Sequence, residues 1–284
     1  LNEKQSNNIL KLDFCPIATD EINSYLKNVS QEQRPLGRVH FFGDKRIVSS
    51  AQNEYDHLVI ADETKKELWA SKQVGKSKKK AKNKVRQRFA GTLSDTRNNC
   101  IVCILGKQIE FDVQGFFQSN MDVLEKTIKA VTFNMGGENV LDMYCGAGTF
   151  SVFLADIFKK TTLVEHNRDA LVHAEVNMAG KAHETYGLSG SRWVKENAPM
   201  ILEKNGPFDA VVIDPPRSGM EKEVCSWLCK NKTAQIRSIS CDPATQARDA
   251  SYLIRSGYKL TKLYLLDFYP QTSHIESLAY FEFV

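Results

Sequence analysis

No stretch of this 284-residue sequence reaches the roughly 18 consecutive apolar residues of a membrane span. The first residues, Leu1-Asn2-Glu3-Lys4-Gln5, lack the charged-then-apolar layout of a signal peptide. These two absences give a cytoplasmic chain with no membrane partner as the expectation. The sequence opens on Leu and not Met, so a further N-terminal portion is expected to precede it. Paired cysteines are lacking as well: the seven at positions 15, 100, 103, 145, 225, 229 and 241 are an odd set in a chain too long to need staples. Reduced thiols are expected. Cys100-Ile-Val-Cys103 has the spacing of a metal pair, but it lies in an apolar run that suits a buried strand, where cysteine acts as a small hydrophobe. There is no internal repeat.

Acids are missing from Ser71 to Arg88, which holds nine Lys or Arg and no Asp or Glu. Of the 38 basic residues, 29 are left elsewhere against 34 acidic ones, so the net charge of +4 is the work of this run. Such a run is ordinarily a solvated segment. Its other reading is an arm that binds a polyanion by releasing counterions.

What is present is enough for one large or two modest domains, since 42% hydrophobic residues build an ordinary core. The texture changes near residue 115. Residues 1–115 hold short apolar pieces, Val39 to Phe42, Leu58 to Ala61 and Cys100 to Leu105, separated by polar stretches; they predict a small β-rich domain for RNA recognition carrying the basic loop. Residues 116–284 alternate strand and helix. Helices are predicted over Val123 to Phe133, Thr149 to Phe158, Arg168 to Ala182, Glu221 to Lys230 and Thr245 to Ser256. Strands are predicted over Asn139 to Tyr144, Thr161 to Glu165, Phe208 to Asp214 and Gln235 to Ser240. That alternation implies an α/β, Rossmann-like, mostly parallel sheet. Lys259 to Tyr269 and Ser277 to Val284, with no helix between them, add a terminal antiparallel hairpin.

The chemistry gathers at strand ends. Val140-Leu141 runs into Asp142-Met-Tyr144-Cys-Gly146-Ala-Gly148-Thr149, where glycines at a strand-to-helix turn let a ligand approach the backbone. Glu165, seventeen residues past Gly148, ends the next strand, where an acid can bind both ribose hydroxyls. A dinucleotide fingerprint needs a third glycine, and position 151 is Ser, so an adenosyl cofactor is the better reading. Val211-Val-Ile-Asp214-Pro-Pro216 projects an acid on a loop stiffened by two prolines. Ser240-Cys241-Asp242-Pro243 puts a thiol at a strand end, with a helix N-terminus and Arg248 expected to lower its pKa. His274-Ile-Glu276 offers a carboxylate to the same rim. These pieces suit methylation of uracil C5: a thiolate adds to C6, C5 attacks an electrophilic methyl group, and a base removes the C5 proton. The uridine must be flipped out or unstacked for this.

Phe116-Phe117-Gln118-Ser-Asn120, Asp142 to Gly148, Asp214-Pro-Pro-Arg-Ser-Gly219, Ser240 to Asp249 and His274-Ile-Glu276 resemble, in order, the motifs of the RNA uracil-5-methyltransferases, over roughly residues 110–284. The resemblance implies S-adenosylmethionine as cofactor, contacted by Gln118, Tyr144, Gly146, Gly148, Glu165 and Asp214, with Thr149 and Asn197 as weaker carry-overs. It implies Cys241 as nucleophile and Glu276 as proton acceptor. Cys15-Pro16 resembles the last ligand of the [4Fe-4S] cluster in the members that modify large-subunit ribosomal RNA; the other three ligands are not visible. Together with the Tyr269-Pro-Gln-Thr-Ser-His-Ile-Glu276 ending, this inclines the reading to ribosomal over transfer RNA; a monomer is expected. Two rivals stay open: methylation of an exocyclic amine, for which Arg217 stands where a stacking aromatic is wanted, and an inactive RNA-binding module.

Overall fold

The computed structural model describes residues 12–35, 39–50, 55–62 and 98–283. The basic run 71–88 lies outside them. The chain divides into two compact units, the first holding the described residues up to 108 and 112–116, the second 109–111 and 117–283.

In the first unit, helix α1 (Asp20–Asn28) precedes strands β1 (Val39–Gly43), β2 (Ile47–Ser50), β3 (Leu58–Asp62) and β4 (Asn99–Ile104); β5 (Lys107–Asp112) follows, its residues 109–111 belonging to the second unit. β1 pairs antiparallel with β3, and β2-β4-β5 form a three-stranded sheet. In β4, Cys100, Val102 and Ile104 are buried while the residues between them are partly exposed, the period of two of a half-buried strand. Cys100 and Cys103 therefore point to opposite faces and do not form a metal pair.

In the second unit, α2 (Met121–Thr132) leads into an alternating series: β6 (Gly137–Met143), α3 (Thr149–Leu154), β7 (Phe158–Val164), α4 (Arg168–Asn177) and β8 (His183–Tyr186), then α5 (Gly190–Glu196), α6 (Ala198–Asn205), β9 (Ala210–Ile213), α7 (Lys222–Asn231), β10 (Gln235–Ser240), α8 (Pro243–Arg255), β11 (Tyr258–Leu266) and β12 (Glu276–Phe283). The sheet order is β11-β12-β10-β9-β6-β7-β8, parallel from β10 to β8, with β12 antiparallel to β10 and β11 antiparallel to β12. The expected parallel sheet and terminal hairpin are both there. Every residue of β9 is buried, as in a parallel strand covered on both faces. One face packs Trp193, Phe208 and Trp227, with Trp193 and Trp227 edge-on at 5.8 Å. The other packs Leu163, Leu171, Ala174 and Met178.

Three expectations need correction. The helix predicted to reach Phe158 stops at Leu154, because Phe158 begins β7. The helix predicted to reach Ala182 stops at Asn177, since Gly180 takes φ +78° in the turn leading to β8. β8 itself, His-Glu-Thr-Tyr at the sheet edge, carries no apolar run to reveal it, and α5 and α6 were likewise not expected. The chain runs outward from β6 through β7 to β8, then returns to β9 and β10 on the other side. Ligands collect at the carboxyl ends of strands beside such a reversal.

Candidate active site

The turn after β6 leaves the right-handed region three times: Tyr144 has φ +66°, Gly146 +54° and Gly148 +76°. A Cβ on Gly148 would sit 3.2 Å from the Ala174 side chain, so glycine there serves both conformation and packing against α4. A Cβ on Gly146 would meet nothing within 4 Å; its outer side is open to a ligand. Buried Glu165, just past β7, accepts from Gly146 N at 3.1 Å and from Asn167 N at 2.7 Å. Asn177 of α4 braces the same turn, donating to Ala147 O at 2.9 Å and to Glu110 O at 2.8 Å. Thr149 opens α3 directly after Gly148. Tyr144 Oη donates to Glu221 Oε2 at 3.2 Å, and Glu221 also accepts from Ser191 N and Oγ. Gly190 lets these groups meet, since a Cβ there would lie 2.7 Å from Glu221 Oε2. Glu221, Gly190, Ser191 and Asn177 were not singled out in the sequence, where nothing marks a polar helix residue as a brace.

Asp142, fully enclosed, accepts from Ser151 Oγ at 2.5 Å; burial pushes its carboxyl up to about 7, with the hydroxyl pulling the other way. Asp214 stands just beyond β9, and enclosure, followed by the charges of Glu276, Asp142 and Glu165, pushes it up to about 8. Gln118, also buried, donates from Nε2 to Glu276 Oε2 at 3.4 Å. Gln118 Oε1 and Asp142 Oδ1 are buried and accept no hydrogen bond among the described residues.

Cys241 follows β10 directly. Ser240 pairs with Ser277 across the β10–β12 ladder, so the next step of the register sets Cys241 against Glu276. Burial raises the Cys241 pKa, as do the charges of Glu276 and Asp214, while its own backbone hydrogen bond and then Arg217 pull it down. The lowered pKa expected for this thiol is not found, and the Arg248 guanidinium is turned elsewhere. Asp242 caps α8 by accepting from Thr245 N at 2.7 Å, and the Arg248 guanidinium is spent on Asp249 Oδ1 at 2.7 and 2.8 Å. Among the charged groups it is Arg217, of the Asp214-Pro-Pro-Arg motif, that favours the thiolate. Tyr269, half-buried in the loop before β12, is raised by burial, then by Glu276 and Cys241, and its ring lies edge-on to His274 at 6.2 Å.

The rim thus brings together Gly146, Gly148, Glu165, Asp214, Cys241, Glu276 and Gln118. Asn197, buried, caps the carboxyl end of α5, about 10 Å of helix from that helix's start. A separate open cleft lined by Glu138, Asn139, Lys159, Asn205 and Asp209 lies at the opposite, amino-terminal ends of the strands.

Residues 1–283 match the family described as tRNA (Uracil-5-)-methyltransferase. The chain belongs to this family. The resemblance read from the motifs is therefore correct. Among curated relatives, an uncharacterized RNA methyltransferase of Treponema denticola is 36% identical over 99% of this chain and 62% of its own length. The 23S rRNA (uracil(1939)-C(5))-methyltransferase RlmD of Shewanella sediminis is 28% identical over 98% of the chain and 63% of its own length, and that of Aliivibrio fischeri 30% over 99% and 64%. The chain spans about three fifths of the length of these relatives. Among solved structures, the Pyrococcus abyssi tRNA (uracil-54, C5)-methyltransferase, bound to S-adenosyl-L-homocysteine, is similar with TM-score 0.55 and 25% identity over 68% of this chain and 49% of that one. The second unit has the fold of S-adenosylmethionine-dependent methyltransferases, as expected.

The rim residues fit that cofactor: a glycine turn with one open side, an acid at the end of β7, and two buried oxygens, of Gln118 and Asp142, that still lack a donor. The iron–sulfur expectation rests, in this sequence, on Cys15 alone. Cys15 is half-buried in the first unit, held by Asn23, which accepts from Cys15 N at 2.8 Å and donates to Cys15 O at 3.0 Å. Among the described residues no group of three or more His, Cys, Asp or Glu is placed to hold a metal, so the described residues do not fit a cluster and no step is assigned to one.

Proposed function

We propose that this chain is the catalytic part of an enzyme that methylates C5 of a uridine in RNA, ribosomal in preference to transfer RNA, with residues 1–115 serving RNA recognition and 116–284 catalysis. The observation that carries the reading is Cys241 set against Glu276 at the rim, beside Asp214 and the glycine turn. The RlmD relatives support the ribosomal substrate.

S-adenosylmethionine, when bound, supplies an electrophilic methyl group. Gly146, Gly148 and Thr149 would line its approach, Glu165 its ribose, and Tyr144, Gln118 and Asp214 the remaining walls. Cys241, as thiolate, adds to C6 of a flipped uracil; the C5–C6 π electrons move onto C4 oxygen as an enolate. C5 then forms its bond to the methyl carbon as that carbon's bond to sulfur breaks. Glu276 takes the C5 proton, the C5–C6 double bond returns, and the C6–S bond breaks to free the thiolate. Every group that enters the cycle is restored except the transferred methyl and the proton on Glu276, which passes to water.

The reading is tested by tritium release from ribosomal and transfer RNA carrying [5-³H]uridine. Release that depends on S-adenosylmethionine and is lost in Cys241→Ala supports it. Methyl incorporation without tritium release would assign the methyl to another atom, as in the exocyclic-amine reading.

A further inference from the structure

The loop that carries Asp214 is stiffened at its start by Pro215 and Pro216, but it continues through Ser218 and Gly219, which have no such stiffness. Helix α8 holds that second half. Its residues Thr245, Arg248 and Asp249 share one face by helical spacing. Thr245 Oγ1 lies 3.3 Å from Arg217 O, sharing its proton with Asp242 O at 3.1 Å, Arg248 Nη2 donates to Ser218 O at 3.0 Å, and Asp249 Oδ2 accepts from Met220 N at 2.8 Å. Gly219 lies inside this grip with φ +77°; a Cβ there would come 2.4 Å from Arg248 Nη2 and 2.7 Å from Asp249 Oδ2. Arg248 and Asp249 also bind each other, which fixes the gripping atoms. The same helix begins two residues after Cys241, with Asp242 as its cap. One rigid element therefore carries the nucleophile at its start and the acid-bearing loop on its flank.

We propose that Thr245, Arg248 and Asp249 are positioning residues: they fix the loop 214–219 relative to Cys241 so that Arg217 stays beside the nucleophile during addition to the base. This rests on the proposed reaction. A displacement of about 1 Å in a reacting constellation can cost about a hundredfold in rate. Of the charged groups acting on the thiol, Glu276 and Asp214 oppose its ionised form and Arg217 favours it, adding to the backbone hydrogen bond at Cys241 itself.

The test uses Thr245→Val/Arg248→Gln, Asp249→Asn and the conservative Arg248→Lys. Two readouts are taken: the pH dependence of Cys241 alkylation by iodoacetamide, followed on the Cys241 peptide by mass spectrometry, and single-turnover tritium release from [5-³H]uridine RNA. The double variant and Asp249→Asn are expected to move the alkylation midpoint up by about half a pH unit or more as Arg217 leaves the thiol. Release should slow at least about tenfold, while S-adenosyl-L-homocysteine affinity stays within about twofold. Arg248→Lys should recover part of both. The proposal is overturned by an unmoved alkylation midpoint, or by a rate that falls only in step with melting temperature and cofactor affinity. Absence of tritium release in the unaltered protein would instead remove the reaction assignment, and the alkylation midpoint would still decide on the grip.

Discussion

Gln118 Nε2 donates to Glu276 Oε2 at 3.4 Å, tying the segment before α2 to the first residue of β12 across 158 positions of sequence. Burial raises the Glu276 carboxyl and this hydrogen bond lowers it. Gln118→Leu should therefore raise the Glu276 pKa further. A base works only when ionised, so the acid limb of the single-turnover pH–rate profile should move to higher pH in the variant. A limb that stays in place would mean that Glu276 is not the group titrating there.

Glu276→Gln keeps the shape and the partner of Gln118 but cannot take a proton. Adduct formation should survive while its resolution slows by about a hundredfold or more. Denaturing electrophoresis with unmodified RNA and S-adenosylmethionine should then show a persistent protein–RNA band. Normal turnover would remove Glu276 from the base role.

Burial pushes the Asp142 carboxyl up to about 7 from an ordinary value of 3.8, so below that pH it stays protonated in the folded chain. Between those pH values the folded state keeps a proton that the unfolded state has lost, so this group's contribution to stability declines as pH rises through the interval. Asp142→Asn, which can still accept from Ser151, should flatten the pH dependence of thermal unfolding from about 4 to 7 and gain a few kcal/mol at pH 8, on the order of 1.4 per pKa unit. A variant less stable than the parent at pH 8 would contradict this.

The two turn glycines should separate folding from binding. Gly148→Ala combines positive φ with the Ala174 contact and should cost about 1–3 kcal/mol in stability. Gly146→Ala meets no protein atom, so it should cost about 1–2 kcal/mol from conformation while weakening S-adenosyl-L-homocysteine binding out of proportion. Thermal melting and calorimetric titration give both quantities. Equal binding losses in the two variants would argue against a ligand on the open side of Gly146.

Much of the second unit was legible because its strands are apolar runs that end in chemically unusual residues: Asp142 to Gly148, Asp214-Pro-Pro and Ser240-Cys-Asp-Pro each mark a strand exit. β8 was not legible, since an edge strand of His-Glu-Thr-Tyr has no hydrophobic period, and α5 and α6 were lost with it. The environment of Cys241 was read only in part. Sequence proximity pointed to Arg248, but one turn into α8 its guanidinium meets Asp249 and the Ser218 carbonyl, and the cation that reaches the thiol comes from a loop twenty-four residues earlier. Braces such as Asn177 and Glu221 depend on partners distant in sequence and leave no local pattern.

The central claim is covalent addition of Cys241 to a uridine. The most direct test is incubation with S-adenosylmethionine and either ribosomal or transfer RNA in which uridine is replaced by 5-fluorouridine, followed by denaturing electrophoresis, for the unaltered chain and Cys241→Ala. Fluorine at C5 cannot leave as a proton, so the adduct should be trapped. A shifted band with ribosomal RNA that disappears in Cys241→Ala is the expected result. A band that persists in Cys241→Ala, or methyl transfer to 5-fluorouridine RNA with no band at all, would contradict the claim.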